Sequence, residues 1–140
     1  MSRVFWDTNL FIYLFEDYGK LSERVVALRH AMLARGDQLF TSTLTLGEIL
    51  VKPMEQKDAE LAQRYEHAIA SAAIVIPFDG KAAKKFAALR RGGAIQPPDA
   101  IQLACASSAG VDLFLTQDAR LHGKQVDGIQ FIAPVERAPL

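Results

Sequence analysis

Apolar and polar residues follow one another along this chain in blocks whose period changes, and the changes mark its elements. Val4, Phe5 and Trp6 form a short apolar run that Asp7-Thr8-Asn9 stops, and Leu10 to Phe15 is then apolar at helical length. The expectation is a first buried strand, with Asp7 at its carboxyl end, and a helix enclosed on most sides. Ser22 is expected to cap a second helix with the stripe Val25, Leu28, Met32 and the flank Val26 and Leu33, ended by Gly36. Leu39 to Thr41 reads as a second strand. Ser42 or Thr43 then caps a helix to about Val51, with Pro53 forcing its end. Asp58 opens a fourth helix through Leu61, Tyr65, Ala68 and Ile69, and the β-branched run Ile74-Val75-Ile76 reads as a buried strand. Asp79 caps a helix with Ala82, Ala83, Phe86 and Leu89 inward, and Pro97-Pro98 leads into Asp99 to Ala109, broken by Gly110. Leu113 to Thr116 and Ile129 to Ile132 are the last strands, the second at an edge because Pro134 follows directly.

Strands and helices alternate from end to end, without repeat or low-complexity linker. That pattern predicts an α/β fold, three layers α/β/α around a mainly parallel sheet, as one domain over residues 1–140. Half of the residues are hydrophobic, which excludes disorder, and the formal net charge is +0. The pI of about 6.8 excludes binding to nucleic acid by global charge, so any such contact needs a local patch or metal ions. Cys105 is the single cysteine, which excludes an internal disulfide and a cysteine metal cluster and suits a reducing compartment. Asp7, Asn9, Glu16 and Asp17 interrupt what would be a signal peptide, and no apolar run is long enough to cross a bilayer, so a cytoplasmic protein without membrane contact is expected.

The candidate chemistry lies in four acids. Asp7 and Asp118 each end a strand, and if these are adjacent parallel strands their carboxyl ends lie about 5 Å apart and both carboxylates face one crevice. Asp99 falls in the first turn of a proline-led helix, where the dipole favours negative charge. Glu48 shares a helix face with Thr45 and Lys52, the spacing of an ordinary Glu–Lys pair, on a helix whose polar stripe is narrow. Each acid alone has a structural explanation as a cap or surface group. Four together would repel unless a cation sits among them, and oxygen ligands without His or Cys select Mg²⁺ or Mn²⁺. His30, His67 and His122 are scattered without ligand spacing. A carboxylate-held Mg²⁺ suits phosphate-ester hydrolysis, with Thr8, Asn9 and Thr116 as supporting groups that orient the carboxylates. Lys81, Lys84, Lys85, Arg90 and Arg91 form the best basic patch, read first as a solvated helix face. Phe5, Trp6, Phe11, Tyr13 and Phe15 are read as core or dimer surface.

Val-Phe-Trp-Asp7-Thr8-Asn9, Thr43-Leu-Thr-Leu-Gly-Glu48-Ile-Leu, Pro98-Asp99-Ala-Ile-Gln-Leu-Ala-Cys-Ala and Phe-Leu-Thr116-Gln-Asp118 resemble the four acidic motifs of the PIN domain family, in order and at similar spacing. The resemblance covers nearly the whole chain, and small single-domain members of this size are most often the VapC-type toxins of bacterial and archaeal toxin–antitoxin pairs. It implies a Mg²⁺- or Mn²⁺-dependent endoribonuclease, a homodimer, and a small antitoxin whose C-terminal segment blocks the acidic pocket. By position, Asp7, Glu48, Asp99 and Asp118 become the catalytic, metal-binding acids, with Asn9 and Thr116 supporting. Two other classes compete. One is a nuclease-silent PIN module that binds a protein or RNA partner. The other is a phosphatase of the haloacid dehalogenase kind, disfavoured because Asn9 stands where that motif wants a second aspartate.

Overall fold

The computed structural model describes residues 1–140, and its centre is the strand the hydrophobic pattern places first. β1 (Arg3–Trp6) lies in the middle of a five-stranded sheet with β2 (Gln38–Ser42) and β3 (Ile74–Ile76) on one side and β4 (Val111–Leu115) and β5 (Ile129–Ala133) on the other. Every pairing is parallel, in the order β3-β2-β1-β4-β5. Parallel neighbours require crossovers, and six helices supply those from β1 to β4: α1 (Thr8–Phe15), α2 (Lys20–Arg35), α3 (Thr43–Glu55), α4 (Ala59–Ala72), α5 (Gly80–Leu89) and α6 (Pro97–Ala109); β4 reaches β5 through a loop with the short turn Ala119–Leu121. The expected three-layer α/β/α architecture is the one observed.

The two-residue side-chain period of β1 divides the core. Val4 and Trp6 face a cluster with Leu10, Phe11, Val25, Leu28, Met32, Ile49 and Ile69 from the first four helices. Phe5 faces the opposite way, into Phe40, Ala82, Leu103, Cys105 and Phe114. Its ring stacks on Phe114 with centroids 4.9 Å apart. With both faces covered, Val4, Phe5 and Trp6 leave no room for a polar side chain, and Asp7 is the first residue past them at the carboxyl end that can meet a ligand. The chain winds outward from β1 to β3, then returns to β4, so the strand order reverses between β1 and β4. Crevices at the carboxyl ends of parallel strands open at such a reversal.

Several expected details change. Ser22 does not cap α2; Gly19 holds that position, and the Ser22 hydroxyl instead accepts from Tyr18 N and donates to the Glu16 carbonyl, tying the α1–α2 connection. Val26 and Leu33 are exposed rather than flanking the core, since α2 rests on the sheet along the single line Val25, Leu28, Met32. Pro53 does not end α3, which continues to Glu55: so near the terminus the missing N–H removes one bond, and the Pro53 carbonyl accepts from Asp58 N. Ala83 is exposed, about 100° around α5 from the buried Ala82. The β-branched strand β3 is at a sheet edge with Ile74 half exposed, because the order of strands puts it outside β2. β5 occupies the opposite edge, as Pro134 predicts.

One glycine is required by a close approach. Gly128, before β5, has φ +87°, and a Cβ there would lie 2.6 Å from the backbone carbonyl oxygen of Ser107 at the end of α6. Gly128→Ala is expected to destabilise the fold by about 1–3 kcal/mol, read as a lower urea midpoint at unchanged slope. No helix is long and apolar enough to cross a membrane.

Candidate active site

Asp7 leaves β1 with extended backbone (φ −66°, ψ 161°) and caps α1, its Oδ1 accepting from Thr8 N at 2.8 Å. The cap is only part of its environment. Asp7 is 8% exposed, and its Oδ2 accepts from the Thr116 hydroxyl at 2.7 Å while Oδ1 accepts a second bond from the Gln102 amide at 3.1 Å. Three donors hold one carboxylate in a fixed orientation, more than a cap requires.

The other acids reach the same place from separate elements. Trp6 is in register with Leu115, so Asp7 and the segment after β4 emerge side by side. Thr116 continues β4 inward, and its hydroxyl both donates to Asp7 and accepts from Asp118 N at 3.1 Å. Asp99 stands in the first turn of α6 behind Pro97, as the proline pair predicts. Glu48 lies on α3, whose N-cap Ser42 ends β2. Asp7, Glu48, Asp99 and Asp118, with Thr8, Asn9 and Gln102, line one cavity of about 280 Å³. The structure thus brings all four predicted acids and two of the three supporting residues to its wall. Thr116, fully buried, stands behind it.

The ordinary ion pair that the Glu48–Lys52 spacing allows does not form. Lys52 Nζ pairs with Glu16 at 3.0 Å, and Glu48 Oε1 accepts from the Thr8 hydroxyl at 2.6 Å. Glu48 thus lines the crevice while remaining exposed to solvent.

Gln102, which no motif singled out, joins these groups. Its side chain is 2% exposed. The amide nitrogen is 2.7 Å from Thr45 Oγ1, 3.2 Å from Thr8 Oγ1 and 3.1 Å from Asp7 Oδ1, and the amide oxygen accepts from Ser42 Oγ. The proton directions follow. Thr8 donates to Glu48, so across the 3.1 Å Thr8–Thr45 contact the proton belongs to Thr45, and the two amide hydrogens of Gln102 are shared among Thr45, Thr8 and Asp7. One carboxamide thereby ties the end of β1, the first turn of α3 and α6. Its signal in the sequence was a glutamine one turn after Asp99 in an otherwise apolar, alanine-rich helix.

Burial pushes Asp99 up to about 6; the charges of Asp118 and Asp7 and a hydrogen bond in which Asp99 shares its proton with Asp118 act in the same direction, against Arg120. Asp118 is held below the usual carboxylate range, chiefly by its hydrogen bond from Arg120, whose Nη2 lies 2.7 Å from Asp118 Oδ2 and 3.6 Å from Asp99 Oδ2. Arg120 was not anticipated: only the turn Ala119–Leu121 after Asp118 folds it back over the acids.

Two observations bear on whether a hard cation fits. Asn9 Oδ1 is buried beside the carboxylates without any hydrogen-bond partner, an oxygen left for a ligand. The donors are all oxygen, and their mutual repulsion is already visible in Asp99. In the present arrangement no three His, Cys, Asp or Glu side chains form a ready ligand cluster, because Asp7 and Glu48 are turned to their hydrogen bonds and Asp118 to Arg120. The donor set suits Mg²⁺ or Mn²⁺ in kind.

Residues 4–126 match the PIN domain family model. No curated protein sequence matches the chain. Among solved structures, VapBC2 of Rickettsia felis bound to a DNA fragment from its promoter aligns at TM-score 0.74 and 16% identity, covering 94% of this chain and 98% of that one. DNA-bound VapBC of Salmonella typhimurium aligns at 0.71 and 19% identity over 96% and 99%. A toxin–antitoxin complex of Klebsiella pneumoniae aligns at 0.65 and 25% identity over 90% and 94%. For the Rickettsia and Salmonella chains the likeness is one of fold.

Proposed function

The chain belongs to the PIN domain family, and from that premise we propose that it is a Mg²⁺- or Mn²⁺-dependent endoribonuclease, the toxin of a type II toxin–antitoxin pair. The observation that carries this reading is the convergence of Asp7, Glu48, Asp99 and Asp118, from four separate segments, on one cavity at the reversal of strand order.

The roles follow from the geometry. Asp99 and Asp118, facing each other across the cavity mouth, would hold the cation together with Asp7, and Asn9 Oδ1 would complete or orient its water shell. A bound divalent ion supplies an acidified water and neutralises charge growing on the phosphate. Asp7 acts as the fixed reference, since Thr8, Thr116 and Gln102 orient it and leave one acceptor position on Oδ2. Glu48, accepting from Thr8 and open to the cavity, is placed to take a proton from water. Specificity for RNA would come from loops around the mouth.

The remaining expectations belong to the same proposal: a single domain over 1–140, a cytoplasmic location, a homodimer, and a small antitoxin that covers the acidic cavity. Kinship in fold with toxin–antitoxin complexes supports the antitoxin. The test is cleavage by the purified protein, freed of any partner. RNA should be cut in Mn²⁺ and spared in excess chelator. A protein that neither binds Mn²⁺ nor cuts RNA would instead be a nuclease-silent PIN module that binds a partner.

A further inference from the structure

An RNA substrate raises an electrostatic difficulty at this cavity. Each phosphate approaches a wall of four acids, and the chain has no net positive charge to draw it in. Of sixteen lysines and arginines, Arg120 alone forms an ion pair with any of the four. Its fork is bidentate on Asp118, Nε to Oδ1 at 3.0 Å and Nη2 to Oδ2 at 2.7 Å, and leans toward Asp99. Of the other basic groups, Lys52 pairs with Glu16, Arg90 donates to the Ile95 carbonyl and Lys81 to the Ser108 carbonyl.

The two ends of this contact are held very differently. The carboxylates of Asp118 and Asp99 are 19% and 18% exposed, while the Arg120 side chain is 69% exposed and has no partner but these acids. The acids are set by the fold; the guanidinium is held only by its bonds to them and can swing on its own exposed stem. A planar fork that grips a carboxylate through two parallel bonds fits a phosphate in the same way.

We propose that Arg120 is a phosphate-binding residue of this cleft, which rests on Asp118 and Asp99 in the free protein and turns to the RNA backbone when those carboxylates are taken up by a divalent cation. The inference rests on the nuclease reading given above. It has two consequences of opposite sign. Removing the guanidinium removes a competitor for the acids, so metal binds more tightly. It also removes the one cation at the mouth, so RNA binds more weakly. A residue that merely braced the Ala119–Leu121 turn would do neither.

The test uses the whole chain and the variants Arg120→Ala and Arg120→Lys, with circular dichroism melts to verify folding. Free Mn²⁺ is followed by its electron paramagnetic resonance signal, and binding of a fluorescein-labelled single-stranded RNA by anisotropy in Ca²⁺. For Arg120→Ala the Mn²⁺ dissociation constant should fall about two- to fivefold, as for release of one exposed ion pair. RNA affinity should drop about tenfold, with a log–log salt slope shallower by about 0.7. Arg120→Lys keeps a charge without the fork and should recover part of the RNA affinity. Unchanged or weaker Mn²⁺ binding in Arg120→Ala would overturn the competition, and unchanged RNA affinity would overturn the phosphate contact. If the native protein bound no Mn²⁺, the nuclease reading would fail separately, and the anisotropy series would still decide whether Arg120 holds phosphate.

Discussion

Asp99→Asn is expected to abolish RNA cleavage, lowering turnover by three or more orders of magnitude, and at the same time to make the metal-free protein more stable at neutral pH. The first effect follows from removing one of two facing carboxylates: several kcal/mol of charge stabilisation at the phosphate is about a thousandfold or more in rate. The second follows from the position of the Asp99 carboxyl, pushed up to about 6 by burial and by Asp118 and Asp7. A carboxyl raised in the folded state favours folding in its protonated form. Its contribution is therefore fully present below the unfolded value near 3.8 and is lost as pH rises through about 6. At pH 7.5 the native side chain is charged among other acids, and asparagine relieves that repulsion. Because the group is part exposed, solvent screening leaves on the order of 1 kcal/mol, a rise in melting temperature of about 2–4 °C. The gain should vanish near pH 4, and saturating Mn²⁺ should reverse it by stabilising only the native protein. A variant that cuts RNA at the native rate would refute the assignment of Asp99. An Asp99→Asn protein less stable than the native one at pH 7.5 without metal would refute the repulsion.

Gln102→Leu is expected to have the largest effect on both stability and metal binding of any change outside the four acids. Leucine is close in volume, so little space is left empty. What is lost is the amide donor to Asp7, Thr8 and Thr45 and the acceptor of Ser42. Buried polar atoms left without partners cost about 1–3 kcal/mol each, and some will find one another, so a net loss of about 2–4 kcal/mol is expected. Against a typical total of about 5–15 kcal/mol this lowers the urea midpoint markedly. Where the variant remains folded, Asp7 loses one of its three fixed donors, and Mn²⁺ affinity should fall about 10- to 100-fold. Gln102→Glu retains an acceptor for Ser42 but sets a second carboxylate against Asp7. It should be worse than leucine for the metal-free fold. Equal urea midpoints for the native protein and Gln102→Leu would show that the network carries no stability.

The stability gain of Asp99→Asn and the loss of Gln102→Leu express one property of this crevice. Charge is concentrated where the sheet offers no counter-ion of its own, and a buried amide and hydroxyls keep it from rearranging. Arg120 is the exception, a mobile charge on the solvent side.

The sequence by itself determined the kinds of element, their order, and the positions where chemistry is possible. Val4–Trp6 alternates into two cores as its period required, and Asp7, Asp99 and Asp118 stand at a strand end, in a first helical turn and after a strand, as proline and apolar runs foretold. These are local matters, decided by propensity and capping over a few residues. Only the tertiary structure decided which strand lies beside which, and hence that β3 is an exposed edge while β1 and β4 are neighbours. It also chose partners across long separations. Lys52 turns to Glu16 instead of Glu48, Thr8 to Glu48, and Gln102 to Asp7 across 95 positions. A hydrogen bond depends on where two side chains end up, and the strand order that sets this is fixed by how whole layers cover one another, which no local window contains.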